Sequence, residues 1–120
     1  MKKRMIAEGR RFWNTCVWSW EGWMASWRSE ATLRQWTIIN LISVGFTFAV
    51  DMTSVEQILL IALGGLILVA ELLNTAIEEA VNRISTETHP LSKKAKDAGS
   101  AAVGVMAIIA GLAWLVVLFK

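Results

Sequence analysis

The chain has 120 residues, a net charge of +2, 55% hydrophobic and 18% charged residues, and a mean hydropathy of +0.49. That apolar balance exceeds what a soluble domain of this size carries and fits a single-domain integral membrane protein spanning residues 1–120. The small net charge excludes the basic footprint of a nucleic-acid binder. A single cysteine, Cys16, excludes an intrachain disulfide, and one histidine leaves no Cys/His metal cluster.

Residues 6–29 have the pattern of a helix that lies on a membrane without crossing it. Trp13, Cys16, Val17, Trp20, Trp23, Met24 and Trp27 recur three and four residues apart, with Arg11, Asn14, Glu21 and Arg28 towards the other side. Tryptophan favours the headgroup level, where its ring is apolar and its N–H is hydrated. Met1-Lys-Lys-Arg4 is basic, but no uninterrupted apolar run follows it, so no cleavable leader is expected.

A polar stretch, residues 29–35, leads into a first membrane-spanning helix over 33–50 that carries Asn40. Asp51-Met-Thr-Ser54 is a turn in which Thr53 or Ser54 can cap the next helix, with Glu56 in its first turn. The second span, 54–84, contains Gly64-Gly65 for close helix approach and runs past Glu71. Residues 85–90 end in the sole proline and are expected to form a loop. Ser92 is the expected cap of a third span over 92–119, whose early part is small-sided at Gly99, Ser100 and Gly104. The predicted fold class is therefore all-α, with a surface helix and three transmembrane helices. Basic residues cluster at 1–34 and 83–96, whereas the 51–56 turn carries Asp51 and Glu56. The positive-inside rule puts the N-terminus and the 83–97 region on the cytoplasmic face.

One stripe stands out. Glu71, Asn74 and Glu78 share a helical face, and Asn82 continues it one turn on. A carboxylate at membrane depth costs at least a few kcal/mol unless it faces protein, water or a metal. Such a stripe is a functional site or a polar seam between helices. Glu30, Glu78, Glu79, Glu87 and Asp97 are expected near one interface, together with Arg11, Arg34, Lys93, Lys94 and Lys96. Carboxylates suit Mg2+, which usually takes one or two of them plus phosphate oxygens, and the cations suit the phosphates. Phosphoryl transfer asks mainly for such positioning and charge neutralisation. No Walker or protein-kinase signature is present.

Ala70-Glu-Leu-Leu-Asn-Thr-Ala-Ile-Glu78, followed by Arg83-Ile and by Lys96-Asp-Ala-Gly-Ser-Ala-Ala-Val103, resembles the prokaryotic diacylglycerol kinase family. Trp27-Arg-Ser-Glu-Ala31 and Arg34-Gln35 resemble its amphipathic-helix region, in the Gram-negative branch rather than the undecaprenol branch. The resemblance implies a homotrimeric bundle in the bacterial inner membrane, with cytoplasmic active sites shared between subunits. The implied activity is ATP-dependent phosphorylation of diacylglycerol to phosphatidic acid, with Mg2+ as cofactor. It further implies that Glu71 is the general base, with Asn74 beside it, and that Glu30 and Glu78 hold the metal. Arg11, Trp18, Glu30, Glu78, Glu87, His89, Lys96 and Asp97 match nucleotide positions. Arg11, Ser19, Trp20, Trp27, Gln35, Glu71 and Ser100 match lipid-contacting positions. Asn82, Trp36, Trp18, Thr88 and Pro90 depart from the family pattern. The rival readings are an undecaprenol kinase of the same family and a non-enzymatic membrane bundle or proton-conducting protein relaying through Glu71.

Overall fold

The computed structural model describes all residues, Met1–Lys120. Four helices account for nearly the whole chain: α1 (Lys2–Ser29), α2 (Ala31–Ala49), α3 (Ser54–Ile84) and α4 (Pro90–Phe119). There are no strands. α3 is the central element, packed against α4 along most of its length and against α2 on another side. α1 touches only α2 and α3, buries no residue, and runs away from the bundle, which gives a flat envelope of 51 × 50 × 23 Å.

The helix boundaries have local causes. Thr53 closes a capping box: its Oγ1 accepts from Glu56 N at 3.1 Å, while Glu56 Oε1 accepts from Thr53 N at 3.3 Å. The 54–84 span thus starts and stops where the sequence places it. Three other boundaries are corrected. α4 begins at Pro90, because His89 Nδ1 accepts from Leu91 N at 3.0 Å and Pro90 takes the first helical position, where its missing N–H costs nothing. His89, not Ser92, is therefore the cap. The polar stretch of 29–35 is almost entirely helical: Glu30 alone, at φ −113° and ψ 105°, separates α1 from α2. α1 also starts earlier than expected, at Lys2, with an exposed Arg4–Glu8 ion pair in its first turns.

Two helices are long and apolar enough to cross a membrane, α3 and α4. Only 33% and 17% of their most apolar stretches are covered, which is far too little for core helices of a water-soluble fold. Thirty-one large hydrophobic residues are exposed, among them Phe48, Val55, Ile108 and Val116. A surface this apolar requires lipid or another protein against it. α2 falls short of the same measure because Arg34, Gln35, Asn40, Ser43 and Thr47 dilute it. Asn40, Ser43 and Thr47 nonetheless turn inward. Asn40 Nδ2 donates to Trp36 O at 3.0 Å, Gln57 Nε2 of α3 donates to Thr47 Oγ1 at 3.2 Å, and Trp114 Nε1 of α4 donates to Ser43 Oγ at 2.9 Å. Polar groups inside and apolar groups outside is the arrangement that a lipid solvent favours.

The small core lies between α3 and α4, where Ile67, Val103 and Ala110 meet Trp36, Leu63 and Met106. Close approach is made by one glycine on each helix. Gly64 lies against the Asn40 side chain and Gly99 against that of Asn74, and a Cβ at either would overlap the amide oxygen. Gly65 and Gly104, which share the same sequence signal, face open space.

Candidate active site

α3 presents Glu71, Asn74 and Glu78 on one face because they are spaced three and four residues apart. Glu71 is 4% exposed and Asn74 7%, so α2 and α4 cover the stripe on both sides. The break at Glu30 turns the chain into α2 beside this stripe. As a result Glu30, Thr32 and Trp36 join Glu71, Asn74, Glu78, Ser100 and Val103 around a cavity of about 260 Å³. Glu30, distant in the sequence, thus joins the Glu71 and Glu78 carboxylates in one small space.

Asn74 sets the polarity of that space. Its Nδ2 donates to Glu78 Oε1 at 3.2 Å, which fixes which end of the amide points where. Its Oδ1 is buried without a hydrogen-bond partner and packs on Gly99. An unpaired buried carbonyl costs on the order of 1–3 kcal/mol, so such groups are concentrated where a ligand completes them. Carboxylates and an amide oxygen form a hard oxygen donor set, suited to Mg2+ and unsuited to soft metals. No three Asp, Glu, His or Cys side chains cluster tightly enough to enclose a metal on their own.

A second cavity of about 260 Å³ lies between the ends of α3 and α4, lined by Asn82, Glu87, His89, Lys93 and Lys96 among others. Lys96 stands one turn before Ser100 on α4, and Asn82 one turn after Glu78 on α3. The two cavities are therefore neighbours in the same interhelical groove, offset by about 6 Å. Asp97 does not line either one; its carboxylate pairs with Lys93 Nζ at 2.5 Å.

The remaining residues singled out from the sequence lie elsewhere. Arg11, Trp18, Ser19 and Trp20 are exposed on α1, and Arg11 is 19 residues from Glu30, about 28 Å along the helix. Ser19 and Trp20 line a shallow, open depression with Thr15, Cys16 and Trp23. Trp27 is half-buried, its ring stacked on Trp23 at 6.0 Å between centroids. Gln35 and Glu79 are exposed and outside the cavities. Sequence reasoning missed Thr32 and Val103, and it treated Trp36 only as a departure from a pattern. Trp36 forms a wall of the acidic cavity and also of the apolar groove below it, which Ile39, Asn40 and Trp114 continue. Nothing in the local sequence around Thr32 or Trp36 signals this, because only the turn at Glu30 aims them inward.

One buried and two half-buried carboxylates lining a small cavity in a lipid-adapted helical chain, beside a cleft with two lysines, make an acidic site that suits a cation and phosphates. The chain matches a family model described as prokaryotic diacylglycerol kinase over residues 17–118 and belongs to that family. It is 41% identical to the diacylglycerol kinase of Pseudomonas aeruginosa, over 91% of this chain and 89% of the relative. With that of Escherichia coli K12 it shares 40% identity, over 85% and 84% of the two chains. With that of Helicobacter pylori strain 26695 it shares 36%, over 88% and 82%.

Proposed function

We propose that this chain transfers the γ-phosphoryl group of ATP to the primary hydroxyl of diacylglycerol, yielding phosphatidic acid and ADP at the cytoplasmic face of the inner membrane. The observation that supports this most is the burial of Glu71 in a cavity it shares with Glu30, Glu78, Asn74 and Ser100. A carboxylate held away from water, with the lipid surface alongside, suits a group that must accept a proton from an alcohol.

In this reading the lipid hydroxyl approaches Glu71 from the membrane side, and Ser100 helps to orient it. The hydroxyl oxygen forms the new bond to the γ-phosphorus as the bond to the β–γ bridging oxygen breaks. The hydroxyl proton goes to the Glu71 carboxylate and the electron pair leaves on ADP. Glu30 and Glu78 would hold Mg2+, with the Asn74 amide bracing Glu78 through its 3.2 Å hydrogen bond. The metal, when bound, neutralises phosphate charge. Lys96, His89 and Glu87 in the neighbouring cavity would meet the rest of the nucleotide, and Asp97 would exchange its Lys93 partner for it.

Arg11 and Trp18 line neither cavity of their own chain. Their proposed nucleotide role therefore calls for a homotrimer in which one subunit's surface helix completes a neighbour's site. The same assembly would cover exposed faces of α2, α3 and α4 and carry α2 across the bilayer as a third span. The deciding experiment uses purified protein in mixed micelles with Mg-ATP and either diacylglycerol or undecaprenol. Phosphatidic acid should form, and phosphate transfer to undecaprenol alone would contradict the assignment. Sharing of sites is tested by mixing impaired Arg11→Gln and Glu71→Gln subunits, whose altered residues fall in different sites only if the surface helix serves a neighbour. Recovered activity is expected, and none from well-mixed oligomers would argue for self-contained sites.

A further inference from the structure

Arg34 stands one turn into α2, four residues after the break at Glu30. Three cavity carboxylates lie nearby, yet Arg34 forms no ion pair; the pairs in the chain are Arg4–Glu8, Lys93–Asp97 and Lys120–Glu56. Its guanidinium instead folds back over the corner. Nη1 donates to the carbonyl of Trp27 and, at 3.3 Å, to that of Arg28. These carbonyls belong to the last turn of α1, where backbone acceptors have no intrahelical partner and the helix dipole favours a cation.

The corner has little else to fix its angle. Glu30 N donates to Ser26 O at 2.8 Å, and Arg34 N reaches Glu30 O only at 3.5 Å. No glycine or proline defines the break, and α1 buries no residue in the bundle. Only Glu30 is non-helical here, so any change in the α1–α2 angle swings its backbone and moves its carboxylate within the acidic cavity.

We propose that Arg34 is a positioning residue. By capping the C-terminus of α1 from within α2, it locks the surface helix at one angle to the bundle and so holds Glu30 facing Glu71 and Glu78. Both bonds come from one nitrogen, Nη1, so a lysine ammonium, which also carries several donors, can keep part of the contact on its more flexible stem. The consequence for metal use rests on the proposed function of Glu30; the geometric lock does not.

The test reads both. Native Cys16, exposed on α1, and a Glu79→Cys substitution on an exposed face of α3 carry spin labels. Labelled chains are diluted with unlabelled ones, so that distances within one chain are measured by pulsed EPR. With Arg34 present a single narrow distance distribution is expected. Arg34→Gln should broaden it and Arg34→Lys should broaden it less. In kinase assays without labels, the Mg2+ concentration for half-maximal rate should rise about tenfold in Arg34→Gln, the worth of one charged hydrogen bond. The KM for lipid should stay unchanged. Unaltered distances in both variants would overturn the lock. So would a selective rise in lipid KM with distances intact, which would make Arg34 a direct phosphate or lipid ligand. A parent chain without kinase activity would defeat the proposed function, while the distances alone would still decide the lock.

Discussion

The two ends of the bundle handle polar groups in opposite ways. At the turn between α2 and α3, Thr53 and Glu56 satisfy each other's backbone donors, and Lys120 at the end of α4 donates to Glu56 Oε1. Thr53, Glu56 and Lys120 are all paired there. About 25 Å away along α3, Glu71 and Asn74 are almost fully buried, and Asn74 Oδ1 has no partner. Both ends are polar, but the first closes on itself and the second is left open. The closed end fixes where helices start and which ends meet. The open end keeps one unsatisfied amide oxygen, Asn74 Oδ1, a cost in stability that a site for cations and phosphates justifies.

That contrast can be broken by substitution, with effects that should descend in a set order. Glu71→Gln, at the open end, should lower turnover on the order of 10²-fold or more while the protein stays folded. Glu78→Gln keeps the shape, and the new amide can turn its oxygen to Asn74 Nδ2, but the charge is lost. Its rate should fall by about 10²-fold at ordinary Mg2+ and recover partly at high Mg2+, measured as rate against metal concentration. Gly99→Ala pushes a methyl group onto Asn74 Oδ1, with Ile77 Cδ1 also within 4 Å. It should cost about 1–3 kcal/mol of stability, read by denaturant titration in micelles, and should lower activity through displacement of Asn74. Thr53→Ala, at the closed end, should cost about 1 kcal/mol and leave the KM values for ATP and lipid unchanged. If Thr53→Ala altered catalysis as much as Gly99→Ala, the division between the two ends would be wrong.

What the sequence disclosed follows the same division. The span 54–84 is legible because its signals are local: Thr53 with Glu56 at the start and a polar loop at the end. The Glu71–Asn74–Glu78 stripe is legible because one helix carries it. The His89 cap is a local signal too, but a serine nearby is the stronger capping residue by type, and only the following proline favours the histidine. The corner at Glu30 is a different case. Residues 28–35 contain no glycine or proline, and the break is held by Arg34 reaching α1 across it. A tertiary contact of this kind leaves no periodic trace, so the arrival of Glu30, Thr32 and Trp36 at the cavity could not be read. The inward stripe Asn40–Ser43–Thr47 hides in a helix with almost no amphipathic pattern: Asn40 packs on Gly64 of α3, while Ser43 and Thr47 accept from Trp114 of α4 and Gln57 of α3.

The central claim is that Glu71 performs proton transfer rather than bracing a helix seam. The most direct measurement compares folded Glu71→Gln protein with the parent chain for both ATP binding and phosphorylation of diacylglycerol in the same micelles. The account predicts nucleotide affinity close to that of the parent with turnover reduced on the order of 10²-fold or more. A glutamine can hydrogen-bond across a seam nearly as well as a glutamate. Near-parental phosphorylation by Glu71→Gln would therefore contradict the account.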